Sequence, residues 1–452
     1  MLASALAHTP KAAIEEWGAT MSRAHKRAGR PDLIAALLMV FVALMGPTQG
    51  ARGGSGVASF QGLGDLPGGD IYSWALDIAA DGSVVVGYSL SAAGTEAFRW
   101  TEKEGMVGLG DLPAGDFFSE AFGVSADGSM VVGVGDDDVS DFQAFLWSEA
   151  EAMVGLGDLP GGFAYSEAAS ISADGSVVVG IGYSLSGGEA FRWTAHEGMI
   201  GLGDLPGGGF LSQAFGISAD GSVIVGVSTS ALTNKEAFRW TEETGMVALG
   251  DLPGGLYLSS ARSTSDDGSV IVGFSVSDSG PEAFRWTQVD GLVGLGDLPG
   301  GGFVSAAFDT TADGSVVVGW GRSAKTHEAF IWDADNGMRH FEDMLVSDYG
   351  LDLTGWTLRQ ARAISGDGTR IVGLGVNPDG FSEAWLVTLP PPPVVGDVNG
   401  DGVVNVLDLI DLLLCFGLPA VPGCEAPDIN GDGSVNVLDL IQLLLAFGTT
   451  SP

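Results

Sequence analysis

The sequence predicts an all-β seven-bladed β-propeller, closed by a strand from its own N-terminus and followed by a small α-helical module. Three observations lead there: a repeat of about 46 residues, a strand in each copy that is apolar at consecutive positions, and two partial copies at the ends of the array that complete each other. The repeat is marked by the Asp of Gly-Asp-Leu-Pro, at Asp65, Asp111, Asp158, Asp204, Asp251 and Asp297, spaced by 46 or 47 residues. An Asp-Gly pair follows sixteen residues later each time, at Asp81, Asp127, Asp174, Asp220, Asp267 and Asp313. In a seventh copy Asp343 keeps the period, and Asp367-Gly368 arrives eight residues late because of an insertion around Val346 to Trp356. Self-similarity at this period marks propellers, solenoids and arrays.

Each copy carries four strand signals. In the fourth copy Gln213 to Ser218 alternates, Ser222 to Val227 is β-branched and apolar, Glu236 to Thr241 holds an aromatic pair, and Gly245 to Gly250 closes the unit. Ala219-Asp220-Gly221 separates the first two, and Asp-Gly between such runs is a strong hairpin signal. The second strand, Val84 to Val86 or Val177 to Val179, does not alternate, so both of its faces must be buried. A blade between two neighbouring blades supplies that burial. The aromatics of Glu-Ala-Phe-Arg-Trp (Phe98 and Trp100, Phe191 and Trp193, Phe238 and Trp240, Phe284 and Trp286) then fill the space between blades.

The count of seven has separate support from the ends. The last copy stops after its third strand, Glu383 to Leu389, while Ser59 to Gly64 matches the fourth strand Gly105 to Gly110 at a spacing of 46. The orphan strand completes the last blade and removes the exposed edges that an open array would keep. A linear solenoid has no use for that complementarity.

The preceding segment reads differently. Arg23, Lys26, Arg27 and Arg30 lead into an apolar run, Leu33 to Met45, followed by Gly46-Pro47 and small residues. This pattern predicts a secretory signal and leader over residues 1–53, too short for a comfortable membrane span and removed on export. The propeller is expected over 57–389, a Pro-rich linker over 390–395 and the C-terminal module over 396–448, all outside the cell or on its surface.

With 19 Lys and Arg against 57 Asp and Glu, the formal charge is −38. Such a surface repels phosphate backbones, which excludes nucleic acid and anionic membrane as partners and favours cations. The polar residues of the repeat recur in nearly every copy, including the Arg of Phe-Arg-Trp (Arg99, Arg192, Arg239, Arg285). Recurrence predicts a scaffold role, for example an Arg to Asp pair between blades. No unrepeated acid pair stands out, so no catalytic residue is assigned, and a polysaccharide-degrading enzyme is the alternative to a binding or purely structural protein.

Binding residues are expected on the face where the second-to-third and fourth-to-first loops emerge. The first group varies most, as at Asp136-Asp137-Asp138, Thr229 to Lys235 and Arg322 to His327. The second carries an aromatic after the Pro-Gly turn: Tyr72, Phe117, Tyr165, Phe210, Tyr257 and Phe303. Aromatics around a channel mouth stack on sugar rings or a peptide, which makes polysaccharide a candidate partner.

The repeat resembles the HAF-type extracellular repeat family of bacteria, whose copies carry a His-Ala-Phe strand followed by an Asp-Gly turn. Here the triplet is Glu-Ala-Phe at Glu96, Glu189, Glu236, Glu282 and Glu328, and Gln-Ala-Phe at Gln143. The resemblance covers residues 58–389 and implies an exported repeat protein with no established chemistry.

After Pro390 to Pro393, residues 397–408 read DVNGDGVVNVLD and 428–439 read DINGDGSVNVLD, each leading into an apolar helix, Leu409 to Phe416 and Leu440 to Phe447. Oxygen donors at positions 1, 3, 5, 9 and 12 with Gly at 6 describe a calcium loop. Asp397, Asn399, Asp401, Asp408, the Val403 carbonyl and Asn405 through water make one site. Asp428, Asn430, Asp432, Asp439, the Ser434 carbonyl and Asn436 make the second. Two calcium ions are therefore expected. With no helix before either loop and Asp at the twelfth position, the module resembles type I dockerins, which implies calcium-dependent folding and attachment to a cohesin-like or other cell-surface protein. Cys415 and Cys424, the only cysteines, flank the loop joining the halves and are expected to form a disulfide outside the cell.

Overall fold

The computed structural model describes residues 57–137, 142–232, 235–325, 327–391, 396–399, 403–417, 426–429 and 434–449. The chain forms two compact units, one over Gly56–Pro391 and one that includes Pro392–Pro452. The larger is built of seven four-stranded antiparallel sheets. Blade 1 is β2 (Gly68–Ile78), β3 (Val84–Ser91), β4 (Thr95–Thr101) and β5 (Gly105–Gly108), hydrogen-bonded in chain order. Blades 2 to 6 repeat this from β6 (Ala114–Val124) to β25 (Gly337–His340). Blade 7 takes β26 (Thr357–Ile364), β27 (Arg370–Val376) and β28 (Ser382–Thr388) from the end of the array and β1 (Ser59–Gly64) from its start. Phe60 faces Val387 in that pairing, and the ring is closed by the two ends of the array as the sequence predicts.

The core lies between blades, with the second strand at its centre. Val84 and Val86 pack with Val131 and Phe145 of blade 2, whereas Val85 packs with Val372 and Leu386 of blade 7. One strand thus serves two interfaces, and all three valines are buried. Phe98, Phe145, Phe191, Phe238, Phe284 and Phe330 are wholly buried, and Trp385 takes their place in blade 7. There the insertion forms α1 (Phe341–Tyr349), whose Phe341 lies 5.8 Å from Trp385 between ring centroids. The second-strand Gly opposite the Phe of each pair permits close strand pairing: a Cβ on Gly180 would stand 1.9 Å from the Glu167 carbonyl oxygen.

Polar residues of the repeat join neighbouring blades. Ser119 Oγ accepts from Ala97 N of blade 1 at 3.0 Å and donates to Gly110 O at 2.6 Å. Ser166, Ser212, Ser259 and Ser305 do the same, and Ser73 does it across the seam by accepting from Ala384 N of blade 7. The Glu of Glu-Ala-Phe holds the start of the Gly-Asp-Leu-Pro turn: Glu189 Oε1 accepts from Gly203 N and Glu383 Oε1 from Gly64 N. The arginines of Phe-Arg-Trp do not pair with an Asp between blades. Arg99 and Arg285 instead donate to the carbonyls of Gly128 and Gly314 in the next blade's Asp-Gly turn. A carbonyl satisfies the guanidinium there because the turn's Asp is already engaged; Asp127 accepts from Ser125 Oγ and Ser129 N.

Those turns form a further ring. Backbone bonds run from Ala126 to Ala173, Ala219, Asp266, Ala312, Gly366 and Ala80, each N–H donating to the carbonyl of the next blade's turn.

Replacing Ser212 or Ser73 by Ala leaves the buried N–H of Ala190 or Ala384 without its acceptor. Each change is expected to lower stability by about 1–3 kcal/mol, measured by chemical denaturation. Equal losses at the two positions would show that the seam is as well knit as an ordinary blade interface.

Candidate functional site

The first strands of neighbouring blades contact one another all the way round, including β26 with β2, and they enclose a central cavity of about 700 Å³. Its lining is decided by a local irregularity. In every blade the pairing of the first and second strands slips by one residue just after a buried Ala: Ala75, Ala121, Ala168, Ala214, Ala261, Ala307 or Ala361. The extra residue of such a β-bulge has no partner in the ladder and its side chain is re-aimed. These seven residues are Leu76, Phe122, Ala169, Phe215, Arg262, Phe308 and Arg362, and all of them line the cavity.

The bulge residues differ from blade to blade, and so do their neighbours. Glu120 and Glu167 stand on the adjacent blades 2 and 3, and Gln213 holds the same position in blade 4. Removal from water pushes the Glu120 carboxyl up to about 7, with the charge of Glu167 adding to the effect. Glu167 accepts from the Tyr165 hydroxyl, and burial with that bond raises the Tyr165 phenol. On the far side of the ring are Arg262 in blade 5 and Arg362 in blade 7. Arg262 lies 4.3 Å from the centroid of Phe215 and 5.8 Å from that of Phe274, and Arg362 lies 4.3 Å from Phe308. Burial lowers both guanidinium pKa values, that of Arg362 to about 10 with Arg262 contributing.

Two further carboxylates lie one residue beyond the bulge. Asp77 accepts from Val124 N of blade 2 at 2.9 Å, and Asp309 accepts from Ile364 N of blade 7 at 2.9 Å and from Ser263 Oγ of blade 5 at 2.7 Å. Desolvation pushes Asp77 up to about 8, reinforced by the charge of Asp309, and pushes Asp309 to about 6.

The six aromatics expected at the mouth fall into two groups. Tyr72 and Tyr165 immediately precede the latch serines Ser73 and Ser166. Tyr72 sits with Trp74 and Tyr88, 6.2 Å from each, and Tyr165 meets Phe142 and Tyr183 edge-on. Phe117, Phe210, Tyr257 and Phe303 stand one residue earlier in their repeats, and successive strand residues point to opposite faces. Their backbone passes against the preceding blade, as the Phe117 carbonyl does beside Gly94, and Tyr257 is 60% exposed. Tyr72 and Tyr165 thus sit in separate aromatic clusters, and the six aromatics are not among the residues that line the cavity. The bulge residues were missed by sequence reasoning. Their signal is a variable position inside a repeated frame, Ser-x-Ala-x, visible only when the copies are aligned.

In the C-terminal unit α2 (Val406–Cys415) and α3 (Val437–Leu445) pack through Leu412 and Leu443 with Val404 and Val435. Asn405 and Asn436 cap the two helices, with Asp408 and Asp439 completing capping boxes. Asp408 is wholly buried and accepts from the backbone N–H of Val398, Asn399 and Asn405. Burial raises its carboxyl, and Asp397 is near enough to add to the rise. Asn405 Nδ2 donates to the Val403 carbonyl, and Asn436 Nδ2 to that of Ser434. Asp401, Asn430 and Asp432 lie outside the described residues, as do the whole leader, 1–53, and linker residues 392–395. Among the described residues no three His, Cys, Asp or Glu side chains cluster as a metal site. Asp428 lies within the described residues at the start of the second loop. Cys415 is disulfide-bonded, and Cys424, the one other cysteine, lies outside the described residues.

No family model matches the chain, and no curated protein does. Among solved structures it is similar to TolB from Acinetobacter baumannii, at 13% identity and a TM-score of 0.40, over 68% of this chain and 81% of that one. A TolB from Agrobacterium tumefaciens matches at 17% identity and 0.38, over 63% and 94%. An oligogalacturonate lyase from Vibrio parahaemolyticus matches at 12% and 0.47, over 75% and 99%. The propeller assignment rests on the strand order of this chain. No described helix is long and apolar enough to cross a membrane.

Asp77, Glu120 and Asp309 all hold their protons more tightly folded than unfolded. Their contribution is complete below the ordinary carboxylate range and is lost as pH rises through about 6, 7 and 8. The melting temperature is expected to fall between pH 5 and pH 8, and Glu120→Gln to flatten the middle of that fall. An unchanged profile in the variant would place the Glu120 carboxyl in water.

Proposed function

We propose that this is an exported binding protein whose propeller takes a ligand in its central channel and whose C-terminal unit is a dockerin-like calcium module that attaches it to another surface protein. One observation carries the first half. Scaffold positions repeat around the ring, while the seven bulge residues depart from the repeat and converge on the cavity, joined there by Glu167 and Gln213. A purely structural ring has no need of two arginines and a glutamate lining one cavity, since charges taken from water are costly unless something pairs with them.

For the second half, the donor set suits a hard cation. Every candidate ligand is an oxygen, the loop spacing is that of a calcium site, and the charge of Asp397 acts on the buried Asp408. Calcium at this place would neutralise the two carboxylates and hold the loop against its helix. The leader's pattern and the disulfide at Cys415 support export. Two calcium ions per chain are expected by isothermal titration calorimetry on the full chain, with Asp408→Asn and Asp439→Asn each removing one. A stoichiometry of zero would reject the module's assignment. Capture of a surface protein in calcium and its release by a chelator is the expected behaviour of the attachment.

A polysaccharide-acting enzyme is favoured by one specific feature, the Glu120 and Glu167 carboxyls on adjacent blades. A carboxyl held near 7 with a second carboxyl close to it suits general acid catalysis. On that reading sugar release from mixed polysaccharides is abolished by Glu120→Gln; release that persists in the variant rejects it.

A further inference from the structure

We propose that the channel ligand carries a carboxylate on a hydroxylated body, an acidic sugar or a short oligosaccharide ending in one, with the carboxylate taken by Arg262 and Arg362. This deepens the assignment of the channel as the binding site and rests on it. The two arginines are the starting point. Among the described residues neither has a carboxylate within ion-pair distance, and Arg262 Nε is buried with no hydrogen-bond partner. Arg362 reaches only a long contact to Gln360, at 3.4 Å. In a chain of formal charge −38, two cations left without a counter-charge inside a cavity are an anomaly.

Their geometry says what would relieve it. Each guanidinium lies over a phenyl ring, which fixes its plane and leaves the N–H edges as the only donors. A planar fork of donors held this way matches a planar carboxylate better than a point charge would. Phe308 of blade 6 lies between the two blades that supply the arginines and lines the same cavity, so both cations border one stretch of wall. Their mutual repulsion contributes to the low pKa of Arg362, and a shared anion would remove it.

The remaining wall sets the body of the ligand. Glu167 and Gln213 present acceptors across the channel, Phe122 and Leu76 present apolar surface, and Trp320 of blade 6 adds an indole to the same wall. Alternating acceptors and aromatic faces suit a ring with hydroxyl edges and C–H faces. Glu120 and Glu167 also limit the charge the ligand can bring. A dianionic phosphate meets them and the field of the whole chain, whereas a single carboxylate meets the least repulsion.

The experiment uses the full chain in calcium, with tryptophan fluorescence and calorimetry as readouts. The probes are glucuronate oligomers, their methyl esters and glucose 1-phosphate. The oligomers are expected to bind, the esters to bind about tenfold to a hundredfold more weakly, and Arg262→Gln and Arg362→Gln each to lose a similar factor. Arg192→Gln, whose arginine pairs with Glu197 on the surface, should bind as the parent does. Because Arg262 is buried without a counter-charge, Arg262→Gln is expected to raise the melting temperature of the ligand-free protein; a drop would make it a structural arginine and overturn the assignment. Equal binding of acid and ester, abolished by Trp320→Ala, would overturn the carboxylate while leaving the channel as the site. Glucose 1-phosphate binding as tightly as the acid would make the pair a general anion site and likewise overturn it. No binding of any probe would overturn both the ligand class and the channel assignment.

Discussion

Everything in the propeller depends on one constraint: the second strand of each blade is apolar on both faces, so no blade can be stable alone. Val85 and its neighbours Val84 and Val86 belong to different interfaces, and the burial of one is pointless unless the other is filled. Closure follows from this. An open array would expose one face of its first and last blades, and the chain avoids that by completing blade 7 with β1. The latch serines add direction to what is otherwise a non-directional apolar contact. By accepting from one blade and donating to the turn before the next, each fixes the height at which neighbours meet.

The same packing leaves the inside of the ring chemically independent of the outside. Side chains at the interfaces are held to Val, Ala and Phe by close contact, and the bulge residue is released from that contact because it faces the cavity. Seven copies of one backbone device thus carry Leu, Phe, Ala, Phe, Arg, Phe and Arg. A repeat that specifies its scaffold this strictly can vary seven channel positions without disturbing it. Polar and charged groups can stand there since the repeat does not demand an apolar residue at those positions.

The C-terminal unit follows a different logic. Its core is a handful of residues about Leu412 and Leu443, and its loops fold their carboxylates inward onto backbone N–H groups. A unit that small gains from a disulfide, and Cys415 joins its bridge to the buried core.

The sequence by itself determined the number of blades, their four strands, the closing role of Ser59 to Gly64 and the packing role of the repeated aromatics. Each of these is written as periodicity or as apolar pattern, and burial depends directly on those. Only the tertiary structure decided what reaches the channel. The bulge inserts one residue into a strand whose alternation otherwise tells inside from outside, so pattern reasoning loses the register at the residue that matters. The partner of Arg99 was hidden for a related reason, because a backbone carbonyl has no letter in the sequence. Glu120 and Glu167, or Arg262 and Arg362, are lone departures from separate repeats along the chain and become a set only when the ring brings their blades around one space.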